Sequence, residues 1–312
     1  MRALLAMTLA CTIWGLSPLY YKLLIHVPPL ELLAHRGLWS FVFFASLLAL
    51  QGRLRLVWAA LREPGQAALT AFATLNILAN WFLLIYATQV DRVTETSLGY
   101  YIYPLVAVLI GRFGFGEHLH ARQWLGVGLA ATGVGCIAVG VGALPWISLV
   151  LAVTFGIYGV IKKRLPLGPV VSVTCEVLMF LPIAVLILAV THGRGQGLFG
   201  LHLWDSALLM ASGPITALPL ILFSFAARRL AMSTVGLMQY INPTLQFICA
   251  VVIFAEPFTV WHSVAFGLIW SALALYSFTA WSQDKQRRNS IKAAAGESAT
   301  VIKSRKDVSA KP

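Results

Sequence analysis

Apolar residues run along this chain in ten long stretches, at 2–23, 29–50, 66–88, 94–115, 121–141, 145–162, 169–191, 204–226, 232–255 and 259–281. A helix needs about 20 apolar residues to cross a hydrocarbon core of about 30 Å. The pattern therefore predicts ten transmembrane helices. Short polar or turn-forming breaks separate them: Val27-Pro28-Pro29, Gln51 to Gly65, Val90 to Val93, Gly116 to His120, Gly142 to Pro145, Lys162 to Gly168, the Gly-rich run His192 to His202, Arg228-Arg229 and Glu256-Pro257. The first stretch follows Arg2 and continues to Leu24, too long for the apolar core of a cleaved signal, so it is expected to be kept.

Composition points the same way. The 312 residues are 59% hydrophobic and only 11% charged, where soluble domains carry about 25% charge. The fold class expected is an all-α polytopic membrane protein. Cys11, Cys136, Cys175 and Cys249 stand far apart within apolar runs and read as small core residues. No cofactor and no metal are expected.

The net charge of +12 acquires meaning from its placement. With the N-terminus cytoplasmic, 19 of the basic residues fall in cytoplasmic segments and three, Lys22, Arg92 and Arg194, outside; Arg36 is left within a span. This asymmetry predicts both termini on the cytoplasmic side. It also removes the nucleic-acid reading, because the charges alternate between loops instead of forming one patch. Residues 282–312 read as a disordered basic tail near anionic headgroups.

The chain resembles itself. Tyr100-Tyr101-Ile102-Tyr103-Pro104 corresponds to Gln239-Tyr240-Ile241-Asn242-Pro243 at an offset of 139, which also pairs Glu117 with Glu256. Earlier in the halves the offset is 141, pairing Gly15 with Gly156, Lys22 with Lys163 and Pro28 with Pro169. Two halves follow, 1–141 and 142–281, each of five spans. An odd number per half forces the second to start on the opposite side, which gives an inverted repeat of the kind found in secondary transporters.

Polar groups at bilayer depth are costly, so they mark function. His35, Arg36, Glu95 and Glu176 are the candidates, while Lys22 and Glu31 stand near helix ends and can snorkel. Arg36 is expected to pair with Glu95 or Glu176, or to face a cavity. Thr96, Tyr100 and Tyr103 share one helical face. Their mates are Val235, Gln239 and Asn242, and Gln246 lies one turn further. Pro104 and Pro243 are expected to break the helix and free the carbonyls of Tyr100 and Gln239. Asn76 and Asn80 share a face and either line the same cavity or bond across helices. Glu117 and Glu256 are each expected to complement a helix N-terminus. Glycines at 126, 133 and 140, and at 128, 135 and 142, make smooth faces for close packing, including a homodimer contact. The string Gly133-Val134-Gly135-Cys136-Ile137-Ala138 lies within a span and lacks the strand of a dinucleotide site.

These residues also resemble a known family. Ile13-Trp14-Gly15 with Pro18, Tyr20 and Lys22; Glu31 with His35-Arg36 and Trp39-Ser40; Asn80-Trp81; Glu95 with Ser97-Leu98-Gly99-Tyr100; Glu176 with Leu181-Pro182; and Gln239-Tyr240-Ile241 with Pro243-Thr244 are similar to the EamA-like drug/metabolite transporters, in the RarD branch. The resemblance implies ten helices in two inverted repeats and export of small molecules from a bacterial inner membrane. One departure stands out: the branch usually has Asn before the first Pro, where this chain has Tyr103, while Asn242 precedes the second.

The function expected is a secondary transporter with a small-molecule substrate and proton coupling, and no catalytic residues. Its cavity would be lined by His35, Arg36, Asn76, Asn80, Glu95, Tyr100, Tyr103, Glu176, Gln239, Asn242 and Gln246. An uncoupled facilitator is the alternative. An intramembrane enzyme would need a nucleophile and base, or metal ligands, at one depth, and only His35 lies deep in a span.

Overall fold

A computed structural model describes residues 1–115, 121–227, 229–230, 238–275 and 278. Glu117, Val235 and the tail from 282 lie outside the described residues. Every described element is helical: α1 (Arg2–Gly15), α2 (Ser17–Leu23), α3 (Pro29–Leu50), α4 (Arg55–Arg62), α5 (Pro64–Gln89), α6 (Val93–Phe115), α7 (Ala121–Val141), α8 (Trp146–Arg164), α9 (Pro169–Gly193), α10 (Leu203–Ala227) and α11 (Ile241–Ile248). A π-helical turn, Cys249–Ile253, follows α11, and α12 spans Val260–Leu275. Five helices are long and apolar enough to cross a membrane: Arg2–Leu23, Pro29–Leu50, Pro64–Gln89, Pro169–Gly193 and Leu203–Phe223. The chain is a polytopic helical membrane protein.

Local chemistry sets the helix starts. Pro29, Pro64 and Pro169 each open a helix, where the missing N–H has no partner to lose. The helices are apolar all round, with Leu5, Leu50, Leu75, Leu186 and Val252 exposed, as a lipid-facing exterior requires. The exception is α4, which lies in the segment read from sequence as a plain break. It buries Val57 and Ala60 against Leu48, Val171 and Cys175, while Trp58 stays exposed and Arg55 and Arg62 stand at its ends. An aromatic residue and arginines flanking a short amphipathic helix suit the headgroup layer.

α3 packs on α9 and α10, α1 on α10 and α11, α5 on α8 and α9, and α6 on α8 and α11. Small residues set the closest approach. A Cβ at Gly213 would stand 2.5 Å from the backbone of Trp39, so α10 meets α3 backbone to backbone. Gly213→Ala is expected to lower stability by about 1–3 kcal/mol through overpacking, measured by thermal unfolding in detergent.

The two glycine faces of α7 separate. Gly126, Gly133 and Gly140 abut Ala272, Ala265 and Trp261 of α12, so this stripe closes within the chain. Gly128 and Gly135 have nothing within 4 Å among the described residues, so the second face is not closed by them.

Pro104 lies within α6, which continues unbroken to Phe115. The helix break expected there is absent. Pro243 occupies the first turn of α11, just beyond a turn at Tyr240, where proline fits without losing a hydrogen bond.

Candidate functional site

Arg36 sits on α3 and is 5% exposed. Its Nε donates to Thr216 Oγ1 of α10 at 3.0 Å, and an Nη donates to the Tyr21 hydroxyl of α2. The guanidinium lies 4.2 Å from the Trp81 ring centroid on α5, a cation–π contact favoured for arginine. The expected carboxylate partners are elsewhere. Glu95 opens α6 and is held by Arg92, whose Nε stands 2.5 Å away. The two are three positions apart, so the pair closes within one helical turn at the start of α6. Glu176 of α9 accepts from Lys162 Nζ at 2.6 Å, Tyr158 Oη at 3.0 Å and Ser172 Oγ at 3.0 Å. Among the described residues no carboxylate pairs with Arg36. A buried guanidinium with only neutral partners is a half-built anion site, because a charge left without a counter-charge is expensive at depth.

The aromatic stripe of α6 leads away from it. Asn80 follows Arg36's partner Trp81 back by one residue, and Tyr100 Oη donates to Asn80 Oδ1 at 2.9 Å. Asn80 Nδ2 donates in turn to the Leu151 carbonyl of α8 at 3.1 Å. Phe155 of α8 stands edge-on to both Tyr100 and Tyr103, at 5.8 and 5.0 Å. Tyr103 Oη donates to Gln239 Oε1 at 3.1 Å, and Phe155 stacks on Tyr158, the partner of Glu176. Arg36, Trp81, Asn80, Tyr100, Tyr103, Gln239 and Glu176 thus form one polar-aromatic column through the interior.

Other expected residues stand apart. Thr96 donates to Gln246 Oε1 at 3.0 Å, and Gln246 Nε2 donates to Asn242 Oδ1 at 3.0 Å. Ser97 adds a bond to the Pro243 carbonyl at 2.8 Å. These bonds seam α6 to α11. Asn76 donates to its own helix at the Phe72 carbonyl, at 2.8 Å. His35 is 2% exposed, its ring nitrogens have no hydrogen-bond partner, and Phe199 stacks on it at 4.8 Å.

Glu256 does complement a helix N-terminus, but that of α6, not of the helix that follows it. Its carboxylate accepts from the Val93 N–H at 2.6 Å and the Thr94 N–H at 2.7 Å, and from the Thr94 hydroxyl at 2.7 Å. Ala255, at φ 52, turns the chain to bring it there. Glu256→Ala is expected to destabilise by about 2 kcal/mol, the cost of orphaning buried donors, read as a lower unfolding temperature.

Sequence reasoning missed Tyr21, Thr216, Phe155, Tyr158 and Lys162 as site members. The repeat held a signal for two of them. At the sequence offset of 141, Tyr21 corresponds to Lys162 and His35 to Glu176, while Arg36 corresponds to Val177, so the pairs Arg36–Tyr21 and Glu176–Lys162 share one position and are a residue out of register at the other.

Comparison with known proteins agrees with this architecture. The model of the EamA-like transporter family matches residues 1–139. Protein RarD of Streptomyces exfoliatus is 41% identical over 285 residues, covering 90% of each chain. Protein RarD of Escherichia coli is 37% identical over 269 residues, covering 85% of this chain and 90% of that one. An uncharacterized transporter of Vibrio cholerae is 39% identical over 269 residues, 86% of this chain and 89% of its own. One solved crystal structure shares the fold, with a TM-score of 0.59 at 21% identity, covering 89% of this chain and 98% of that one. On this evidence the chain belongs to the EamA-like transporter family, in its RarD branch.

Proposed function

We propose that the protein is a secondary transporter of a small polar or amphiphilic molecule, built from two inverted five-helix repeats and working by alternating access. One observation carries this reading: several of the main helix contacts recur when the proposed halves are exchanged, spans one to five standing for six to ten. α5 lies on α8 as its mate α10 lies on α1. α6 lies on α8 as α11 lies on α1, and α3 lies on α10 as α9 lies on α5. The mates α3 and α9 touch each other, as do α6 and α11. Two halves that pack by one rule have two equivalent ways to tilt, and the substrate site lies between them.

Arg36 is the substrate-binding cation in this reading, meeting an anionic or acceptor-rich group, while the tyrosines and amides of the column contact the rest. The 19-to-3 division of basic residues supports cytoplasmic termini in a bacterial inner membrane. A coupling proton would ride on Glu95, Glu176 or His35; Glu95 and Glu176 are already held by Arg92 and Lys162. His35 makes no hydrogen bond, with the Glu31 carboxylate 3.9 Å from its Nε2, and is the coupling group we favour. The test is a metabolite comparison of overexpressing and deletion cells, followed by uptake of the strongest hit into proteoliposomes with and without a pH gradient. Uptake that follows the gradient supports a coupled exporter; uptake indifferent to it removes the proton.

A further inference from the structure

The face of α3 adjacent to Arg36 carries a second unmet demand. Glu31, His35 and Trp39 follow one another at four-residue spacing and so form one stripe. Glu31 is 0% and His35 2% exposed. Glu31 Oε2, both ring nitrogens of His35 and Trp39 Nε1 are buried without a hydrogen-bond partner. Among the described residues no lysine or arginine pairs with Glu31; His35 Nε2 is 3.9 Å from its Oε1, beyond hydrogen-bond reach.

A strap from the α9–α10 connection roofs this stripe. Leu198 N–H donates to Glu31 Oε1 at 2.9 Å. Phe199 stacks on His35 at 4.8 Å and stands 6.1 Å from Trp39. The Phe199 carbonyl is 3.2 Å from His192 Nε2. Gly195 and Gly200 flank the strap at φ 70 and 90, a backbone shape that glycine adopts freely. Trp39 is shared with an apolar groove of about 540 Å³ between α3 and α10, lined also by Val42, Phe43, Met210 and Pro214.

We propose that this stripe is a binding subsite for an organic ammonium group, with Phe199 as its lid. The inference rests on the transporter reading and names a substrate feature within it. Glu31 Oε2 and the lone pair of the His35 imidazole are acceptors without a donor, and the rings of Phe199 and Trp39 flank them, surroundings that suit ammonium; the Trp39 N–H is itself a donor and takes no part in holding it. The groove beside Trp39 takes the apolar body of the same molecule. Glu31 has two tasks, one oxygen holding the strap and the other facing the ligand.

The experiment uses the full-length protein in detergent and three matched probes: 2-phenylethylammonium, 2-phenylethanol and 3-phenylpropionate. Calorimetry is expected to show saturable binding of the ammonium alone. Glu31→Gln keeps an acceptor for Leu198 N–H and is expected to weaken binding at least tenfold. Phe199→Ala leaves Glu31 in place and is expected to weaken it severalfold, which gives a second reading if the Glu31 variant fails to fold. Equal binding of the alcohol or the carboxylate overturns the proposal, as does wild-type affinity in Glu31→Gln. No flux enters this assay. A protein that transports but does not bind the ammonium overturns this inference and leaves the transporter reading standing.

Discussion

Arg36→Ala is expected to reduce transport about 10- to 100-fold, because a charge-assisted hydrogen bond is worth about 1.5–3 kcal/mol and each 1.4 kcal/mol is tenfold. Arg36→Lys is expected to recover little. Lysine keeps the charge but loses the planar face that lies 4.2 Å from the Trp81 ring and the separate N–H groups that reach Thr216 and Tyr21. The measurement is initial uptake into proteoliposomes at matched protein density. Stability distinguishes this effect from unfolding. Arg36 has no carboxylate partner among the described residues, so removing it strands no buried anion; it does leave the buried Tyr21 hydroxyl without its partner, and Arg36→Ala is expected to lose about 1–3 kcal/mol and still fold, which unfolding in detergent at the assay temperature checks. A variant that transports like the wild type ends the role assigned to Arg36.

The second large effect concerns stability. Glu176 is 2% exposed and accepts bonds from Lys162, Tyr158 and Ser172. Lys162→Met removes its counter-charge and is expected to cost about 3 kcal/mol, the lower end for breaking a buried pair, because the Lys162 side chain is 23% exposed. The double change Lys162→Met with Glu176→Leu is expected to regain most of that loss, since two well-packed apolar residues carry no desolvation penalty. Thermal unfolding of the two variants beside the wild type reads the difference. If the double variant is no more stable than the single one, the cluster holds the helices by more than its charges.

The contrast between these residues shows what sequence could and could not reveal. Most helix positions were legible because a lipid-facing helix must be apolar on every side, and such runs are bounded by proline, glycine or charge; the ninth stretch, read as one span, holds within its described part the short α11 and a π-helical turn. α4 escaped because its arginines made a short amphipathic helix look like a plain loop. The proposed repeat rests on paired prolines and glutamates in the sequence. Its consequence for side chains was not legible, since Tyr21 and Lys162 are chemically unlike and their partners, Arg36 and Glu176, are one position out of register. Partner choice was the hardest part. Arg36, Glu95 and Glu176 invited one another as the costly charges of the membrane interior, yet Arg92 reaches Glu95 within one helical turn and Lys162 reaches Glu176 across α8 and α9. A long basic side chain assigned to a loop bends back into the protein, and sequence position alone does not register that reach. Glu256 makes the same point. Its capping role was legible, but the helix it caps lies over 160 residues earlier in the chain.

Counterflow tests the central claim most directly. Proteoliposomes loaded with unlabelled substrate take up trace label against no net gradient only if one site faces each side in turn. The account predicts a transient, saturable overshoot of label that disappears in Arg36→Ala. Label that equilibrates without an overshoot, at a rate proportional to concentration throughout, would mean a continuous pore and would contradict alternating access.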